Sequence, residues 1–258
     1  MERTLTKHRL ADIEGLPSRG DADASAGLTR PARTAPAKGR AGRIDPRLVC
    51  LLKPASAAAE RFNRLRHAIE AMRPPDRALT VGVTSPSEAD GKTLTAINLA
   101  GALARDERAR VLLADLDLRG SGRGVDDYLD LNGAARPGIT DWIGREDLRQ
   151  HYPAARIDGF NLDYLQRGSG TNSIYELLRS PGLDELLEQA RRSYQFIVVD
   201  APHALLMSDV ELISRVVDGF LIVVRAGHTT RTSLENTLNL IAPEKVLGLV
   251  FNGASQPA

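Results

Sequence analysis

Cysteine is nearly absent from this chain of 258 residues, with Cys50 as the single instance. No internal disulfide and no cysteine-based metal site can form, and a reducing compartment fits. Cys50 reads as a small apolar residue at a domain edge. Aromatic residues make up only 4% of the chain. No apolar run approaches the roughly 20 residues that span a bilayer. The longest, Gly219-Phe220-Leu221-Ile222-Val223-Val224, has strand length. The N-terminus lacks the apolar core of a signal peptide. A soluble, cytoplasmic protein is expected, reaching the inner membrane only through a partner. Charge excess is missing as well. The net charge is +1, which gives no global reason to expect a nucleic-acid partner.

The length suits one α/β domain of about 200 residues plus a tail. Residues 1–46 are rich in Ala, Arg, Gly, Pro and Ser and are expected to be a disordered N-terminal tail; 47–258 is the expected domain. Arg30, Arg33, Lys38, Arg40 and Arg43 read as a solvated linker, with an anchor to anionic lipid or an acidic partner as the sharper alternative. A helix is expected over 56–72, with Phe62, Leu65 and Ile69 on one face, ended by Pro74-Pro75. Strands are expected at 78–84, 110–115, 160–165, 195–200, 218–225 and 246–251, and helices at 92–106, 174–192, 208–216 and 230–241. Near-continuous apolar strands alternating with helices predict a mostly parallel sheet with helices on both faces, the P-loop NTPase class of fold.

Three strand ends carry the chemistry. Thr84-Ser85-Pro86-Ser87-Glu88-Ala89-Asp90-Gly91-Lys92-Thr93 lies between a strand and a helix. Gly91 lets backbone approach phosphates, Lys92 brings charge to the β- and γ-phosphates, and Thr93 offers a hydroxyl to Mg²⁺. The helix N-terminus adds free N–H groups and partial positive charge. Alone, Gly-Lys-Thr is a weak signal that fits a plain strand-to-helix turn. Asp115-Leu116-Asp117-Leu118-Arg119 ends a second apolar strand, with both carboxylates on one side. They could serve Mg²⁺ and accept a proton, or simply form a salt bridge at a strand end. Asp200 ends a third such strand, before Ala201-Pro202-His203, where an acidic residue holds Mg²⁺ through water; a strand ended by an Asp-x-Pro turn is the plainer alternative. In open α/β sheets ligands bind at the carboxyl ends of the strands, and all three motifs lie there.

Together these residues resemble the bacterial tyrosine kinases, a family grouped with the ParA/MinD-like P-loop ATPases and working in capsule and exopolysaccharide synthesis. The similarity extends to Asn63-Arg64-Leu65-Arg66, Asn172-Ser173, Val224 to Thr229 and Leu249 to Gly253, covering roughly 46–254. The resemblance implies ATP and Mg²⁺ as cofactors. It implies nucleotide contacts from Ser85, Ala89, Asp90, Gly91, Lys92, Thr93 and Leu94, with Asn252 at the adenine. It implies Mg²⁺ contacts from Thr93, Asp115 and Asp200, and catalytic roles for Lys92, Asp115 and Asp117. The expected activity is ATP hydrolysis or phosphoryl transfer to protein tyrosine. The expected partner is a membrane-bound polysaccharide co-polymerase, or chain-length regulator, acting as activator, with homo-oligomers expected too. The alternatives are a ParA/MinD-type positioning ATPase, disfavoured because Ser87 stands where that group carries an extra lysine, and a catalytically weak nucleotide-binding regulator of the co-polymerase.

The departures from the family pattern carry their own expectations. Glu88-Ala89-Asp90 replaces Pro-Gly-Glu, so Ala89 is costly if its position needs a positive φ. His203 replaces the second Pro of the Asp200 motif. Asn63 replaces the middle Arg of an oligomerisation pattern kept at Glu60 and Arg66. Family autokinases carry a C-terminal tyrosine cluster; the last tyrosine here is Tyr194, so a tail-tyrosine cycle is not expected. Tyr128, Tyr152, Tyr164 and Tyr175 read as packing or surface residues.

Overall fold

The computed structural model describes residues 33–37, 44–120, 122–131, 136–170, 173–204 and 207–253. In chain order the elements are β1 (Arg33–Ala37), α1 (Val49–Leu52), α2 (Ala57–Met72), β2 (Leu79–Thr84), α3 (Lys92–Leu103) and β3 (Val111–Asp115). There follow α4 (Val125–Leu129), α5 (Ile139–Gly144), β4 (Tyr152–Ile157), β5 (Asp163–Leu165), α6 (Ile174–Arg179) and α7 (Pro181–Arg191). The chain closes with β6 (Phe196–Asp200), α8 (Met207–Ser214), β7 (Gly219–Arg225), α9 (Arg231–Leu240) and β8 (Val246–Asn252). The strands form one sheet in the order β1-β4-β5-β3-β6-β2-β7-β8. All neighbours pair in parallel except β4 with β5.

The central strands read as continuous apolar runs because both of their faces are covered. Along β3, Leu112 and Ala114 join the core on one face while Val111 and Leu113 join the core on the other. Along β6, Ile197 and Val199 divide from Phe196 and Val198 in the same way. This two-sided burial at period two is the signature of a parallel sheet between helical layers. α3 is buried along nearly its whole length, and its Asn98 is anchored at both ends of the amide. Asn98 Oδ1 accepts from Cys50 N at 3.0 Å, and Nδ2 donates to Arg47 O at 3.1 Å. Cys50 is buried against Ala59 and Ala102, as a small apolar residue would be, and burial pushes its thiol up to about 12.

Several sequence expectations are corrected. The helix expected over 174–192 is two helices. Ser180 ends α6 and caps α7 by accepting from Gly182 N at 3.1 Å, and Pro181 at the first position of α7 cannot continue a preceding helix. β4 was not expected, because Pro153 and Arg156 interrupt its apolar pattern; it is held by antiparallel pairing with β5. Within the span expected to be disordered, 33–37 pairs with β4 as an edge strand, and Asp45 is buried among Arg47 and Arg123. A Pro-containing segment is tolerated there because an edge strand has one ladder to satisfy. The rest of 1–43, including most of the basic run, lies outside the described residues.

Register places the site. Asp115 is the Cα partner of Asp200, and Asp200 is the partner of Val83, one residue before the end of β2. The carboxyl ends of β2, β3 and β6 therefore converge beneath the N-terminus of α3.

Candidate functional site

The segment 85–91 wraps from β2 into α3. Gly91 caps the helix at φ +100°, and a Cβ there would fall 2.1 Å from Asn252 Nδ2, so both conformation and space require glycine. Ala89 adopts φ +63°. The condition under which alanine is unfavourable is met, at roughly 1–2 kcal/mol. The loop is tied to the β6 end by Thr84 Oγ1 donating to Pro202 O at 2.7 Å and Ala204 N donating to Ser85 O at 2.8 Å.

Beside the loop lies a cavity of about 550 Å³, whose walls include Ala89, Gly91, Lys92, Thr93, Leu94, Asp117 and Asn252. Arg47, Arg119, Arg123, Arg167 and Arg225 also line it, with Glu88 and Asp117 as the acids among its described lining residues. Arg47 and Arg123 are paired with Asp45, Arg119 with Asp209 and Arg167 with Asp115, and with Lys92 the wall still suits an anionic ligand. Ser85 and Asp90 are fully buried behind the loop. Ser85 Oγ donates to Ser87 O at 2.7 Å, and Asp90 Oδ2 accepts from Ser87 N at 2.9 Å. Their side chains shape the loop from within. Asn252 Nδ2 donates to Asp90 O at 2.9 Å, so this amide also supports the loop backbone.

Lys92 sits above the acidic strand ends. Its Nζ donates to Asp117 Oδ2 at 2.5 Å and to Thr93 Oγ1 at 3.2 Å, and stands 3.8 Å from Asp200 Oδ1. Burial works against its charge, but Asp200, then Asp117, outweigh this and hold the ammonium above its ordinary range. Asp200 is buried, and burial pushes its carboxyl up to about 6; Lys92 and the Thr93 hydroxyl oppose the shift while Asp117 adds to it. Burial, then repulsion from Asp200, raises Asp115 well above the carboxylate range, opposed by Arg167, whose Nε lies 3.2 Å from Asp115 Oδ2. Neither oxygen of Asp200 has a hydrogen bond of normal geometry. Two adjacent buried carboxylates with spare acceptor capacity, next to the Thr93 hydroxyl, fit a hydrated Mg²⁺, which keeps its waters and takes only one or two carboxylates. No denser cluster of metal-binding side chains occurs among the described residues.

Arg167 was not foreseen. It lies two residues beyond the end of β5, and that place at the carboxyl end of a strand was its available signal. Gly120 and Gly124 make room for it, since a Cβ at either would fall 2.2 Å from its guanidinium. Arg119, by contrast, is bound to the buried Asp209 of α8 at 2.5 and 3.0 Å. Tyr152, Tyr164 and Tyr194 are buried, with Tyr164 donating to Asp126 and Tyr194 to Asp163, as packing residues. Tyr128 lines the cavity beneath Arg123, whose guanidinium carbon is 4.3 Å from the ring centroid. His203 also lines the cavity. Glu60 and Asn63 hydrogen-bond to each other on α2, and Asn63 also accepts from Arg105.

A parallel α/β sheet with a Gly-Lys-Thr loop at the carboxyl end of a central strand, above strand-end carboxylates, defines a P-loop nucleotide-binding domain. No family model matches the chain. Tyrosine-protein kinase YwqD of Bacillus subtilis is 27% identical over 218 residues, spanning 84% of this chain and 90% of that protein. Tyrosine-protein kinase ptk of Acinetobacter johnsonii is 31% identical over 199 residues, 76% of this chain and 26% of that protein. Succinoglycan biosynthesis transport protein ExoP of Rhizobium meliloti is 28% identical over 206 residues, 77% of this chain and 25% of that protein. The chain thus spans nearly all of the first relative and about a quarter of the other two. Among solved structures, the kinase domain of Escherichia coli tyrosine kinase ETK superposes with TM-score 0.70 at 23% identity, over 90% of this chain and 94% of that one. The MinD cell division protein of Aquifex aeolicus superposes with TM-score 0.51 at 24% identity, over 69% and 70%. In sequence the chain resembles the bacterial tyrosine kinases, and its fold is shared by a kinase domain of that kind and by MinD. No helix among the described residues is long and apolar enough to cross a membrane.

Proposed function

We propose that this domain binds Mg·ATP in the basic cavity and transfers the γ-phosphoryl group to a tyrosine of a protein in polysaccharide synthesis or export. The observation that carries the reading is the packing of Lys92 against Asp117 and Asp200 at the ends of β3 and β6. Lys92 and the N-terminus of α3 supply cationic and N–H contacts for the β- and γ-phosphates, and Arg167 and Arg225 extend the positive wall. Once a phosphate draws Lys92 away, Asp117 is left as a cavity-facing carboxylate able to accept the tyrosine hydroxyl proton. Thr93, Asp200 and Asp115 would hold Mg²⁺, which neutralises charge developing on the phosphoryl oxygens. Asn252, already bonded to the loop, stands at the cavity edge as the candidate adenine contact. A relative named for succinoglycan biosynthesis transport supports a membrane polysaccharide co-polymerase as the activating partner.

The second reading, a nucleotide-binding regulator with weak turnover, is favoured by one observation: Ala89 occupies a left-handed position. A positioning ATPase is less well supported, since the likeness to MinD is weaker than that to the kinase domain and Ser87 offers no cation. Calorimetry with Mg·ATP and transfer from [γ-³²P]ATP to a tyrosine peptide, with and without a co-polymerase cytoplasmic segment, separates these readings. Lys92→Ala is expected to abolish binding. Equal affinity in that variant would refute the nucleotide site, and binding without transfer in the wild type would favour the regulator.

A further inference from the structure

We infer that the turn after β7 is a clamp that holds the phosphate loop in shape despite Ala89, with His228 as its positioning residue. The inference rests on the nucleotide-site reading only for its consequence; the clamp itself is geometric. Gly227 at φ +70° and the bond from Arg225 N to Thr229 Oγ1 at 2.8 Å fold residues 225–229 into a tight turn beside the loop. From this turn, Arg225 Nη1 donates to Ala89 O at 3.1 Å, and His228 Nδ1 lies 2.8 Å from Asp90 Oδ1. From the end of β8, Asn252 Nδ2 donates to Asp90 O at 2.9 Å. With Ser87 N on Oδ2, all three oxygens of Asp90 are held.

Two features of the loop call for such a clamp. A non-glycine residue in the left-handed region persists only where its surroundings over-determine it. A carboxylate with no exposed surface also needs hydrogen-bond donors. Ser87 N–H supplies one donor to the Asp90 carboxylate, and His228, as the tautomer that carries Nδ1–H, supplies the other. His228 itself is 47% exposed, so shortening it opens no cavity in the core. The turn, the Asp90 side chain and the Ala89 strain thus form one unit, in which the departures at 89 and 90 are stabilised by residues far away in sequence.

The test uses the full chain. Hydrogen–deuterium exchange of the loop peptide in nucleotide-free protein is compared for wild type, His228→Ala and His228→Asn, and Mg·ATP affinity is measured for these and for Ala89→Gly and the His228→Ala/Ala89→Gly double variant. Loss of a hydrogen bond to a buried carboxylate predicts about tenfold faster loop exchange and about tenfold weaker Mg·ATP binding in His228→Ala. His228→Asn, whose amide nitrogen sits where Nδ1 does and keeps a donor, should stay within about threefold of wild type, and the double variant should recover to a similar margin because glycine removes the strain. Wild-type exchange or wild-type affinity in His228→Ala, or a double variant as weak as the single one, would each overturn the clamp. If the wild type binds no Mg·ATP, the nucleotide reading fails, while the exchange rates still decide the clamp.

Discussion

Lys92 Nζ and Asp117 Oδ2 lie 2.5 Å apart, so the cation expected to meet the phosphates is held by the carboxylate expected to meet the acceptor. The pair is mostly buried, at 12% and 15% exposure, where Coulomb attraction is only partly screened. Neither group can take up its proposed role until the other is released, which couples phosphate arrival to unmasking of the base.

Asp117→Asn tests that coupling. The amide leaves Lys92 freer, so Mg·ATP should bind as tightly as in wild type or up to about threefold more tightly, while phosphoryl transfer falls by about 10²–10⁴, the usual range for loss of a general base. Calorimetry and single-turnover transfer measure the two quantities. Matching losses in both would reduce Asp117 to a structural partner of Lys92.

Asp200→Asn should stabilise the nucleotide-free protein while removing activity. Burial raises the folded carboxyl to about 6 from an ordinary 3.8. Between those values the folded state binds more protons than the unfolded state, so stability falls as pH rises through the window. At pH 7 the wild type carries the full penalty of a buried carboxylate, and the neutral amide does not. Thermal melts should show the Asp200→Asn variant higher by roughly 2–6 °C at pH 7, with the difference shrinking below about pH 4. A lower melting temperature at pH 7 would mean that the contact with Lys92 outweighs desolvation.

Arg167→Ala should act in the opposite direction through Asp115. Arg167 is the cation opposing the upward shift of that carboxyl, and without it the folded value rises further. The variant should lose about 1–3 kcal/mol by urea denaturation at a pH where Asp115 is ionised, and the loss should narrow as the pH falls and Asp115 takes up its proton in the folded state. A loss independent of pH would place the role of Arg167 in packing against Gly120 and Gly124 instead.

Much of the site was legible because its parts are local. The strands β2, β3 and β6 announce themselves as apolar runs. Asp115, Asp117 and Asp200 lie at or just beyond the ends of β3 and β6, and Lys92 opens the helix after the loop that follows β2. A helix start after Gly91 needs only the residues at hand. Elements whose stability comes from a distant partner were hidden. β4 contains Pro153 and Arg156 and exists through its pairing with β5 and β1; the division of the 174–192 span, by contrast, is written locally in Ser180 and Pro181. Arg167 carries no motif of its own, and His228 lies in the 224–229 stretch of family similarity with no role attached to it; both matter through Asp115 and Asp90, which lie far from them along the chain.

The sequence by itself determined the class of the fold, the phosphate loop and the order of its acidic strand ends, since apolar periodicity and short motifs are properties of neighbouring residues. Only the tertiary structure decided that Lys92 rests on Asp117, that Ala89 sits at a positive φ, and that Arg225, His228 and Asn252 hold the loop there. Those relationships depend on strand order and register, which bring the ends of β2, β3, β6, β7 and β8 to one edge of the sheet. Register of that kind is an energy of the whole packed sheet, and no local pattern carries it.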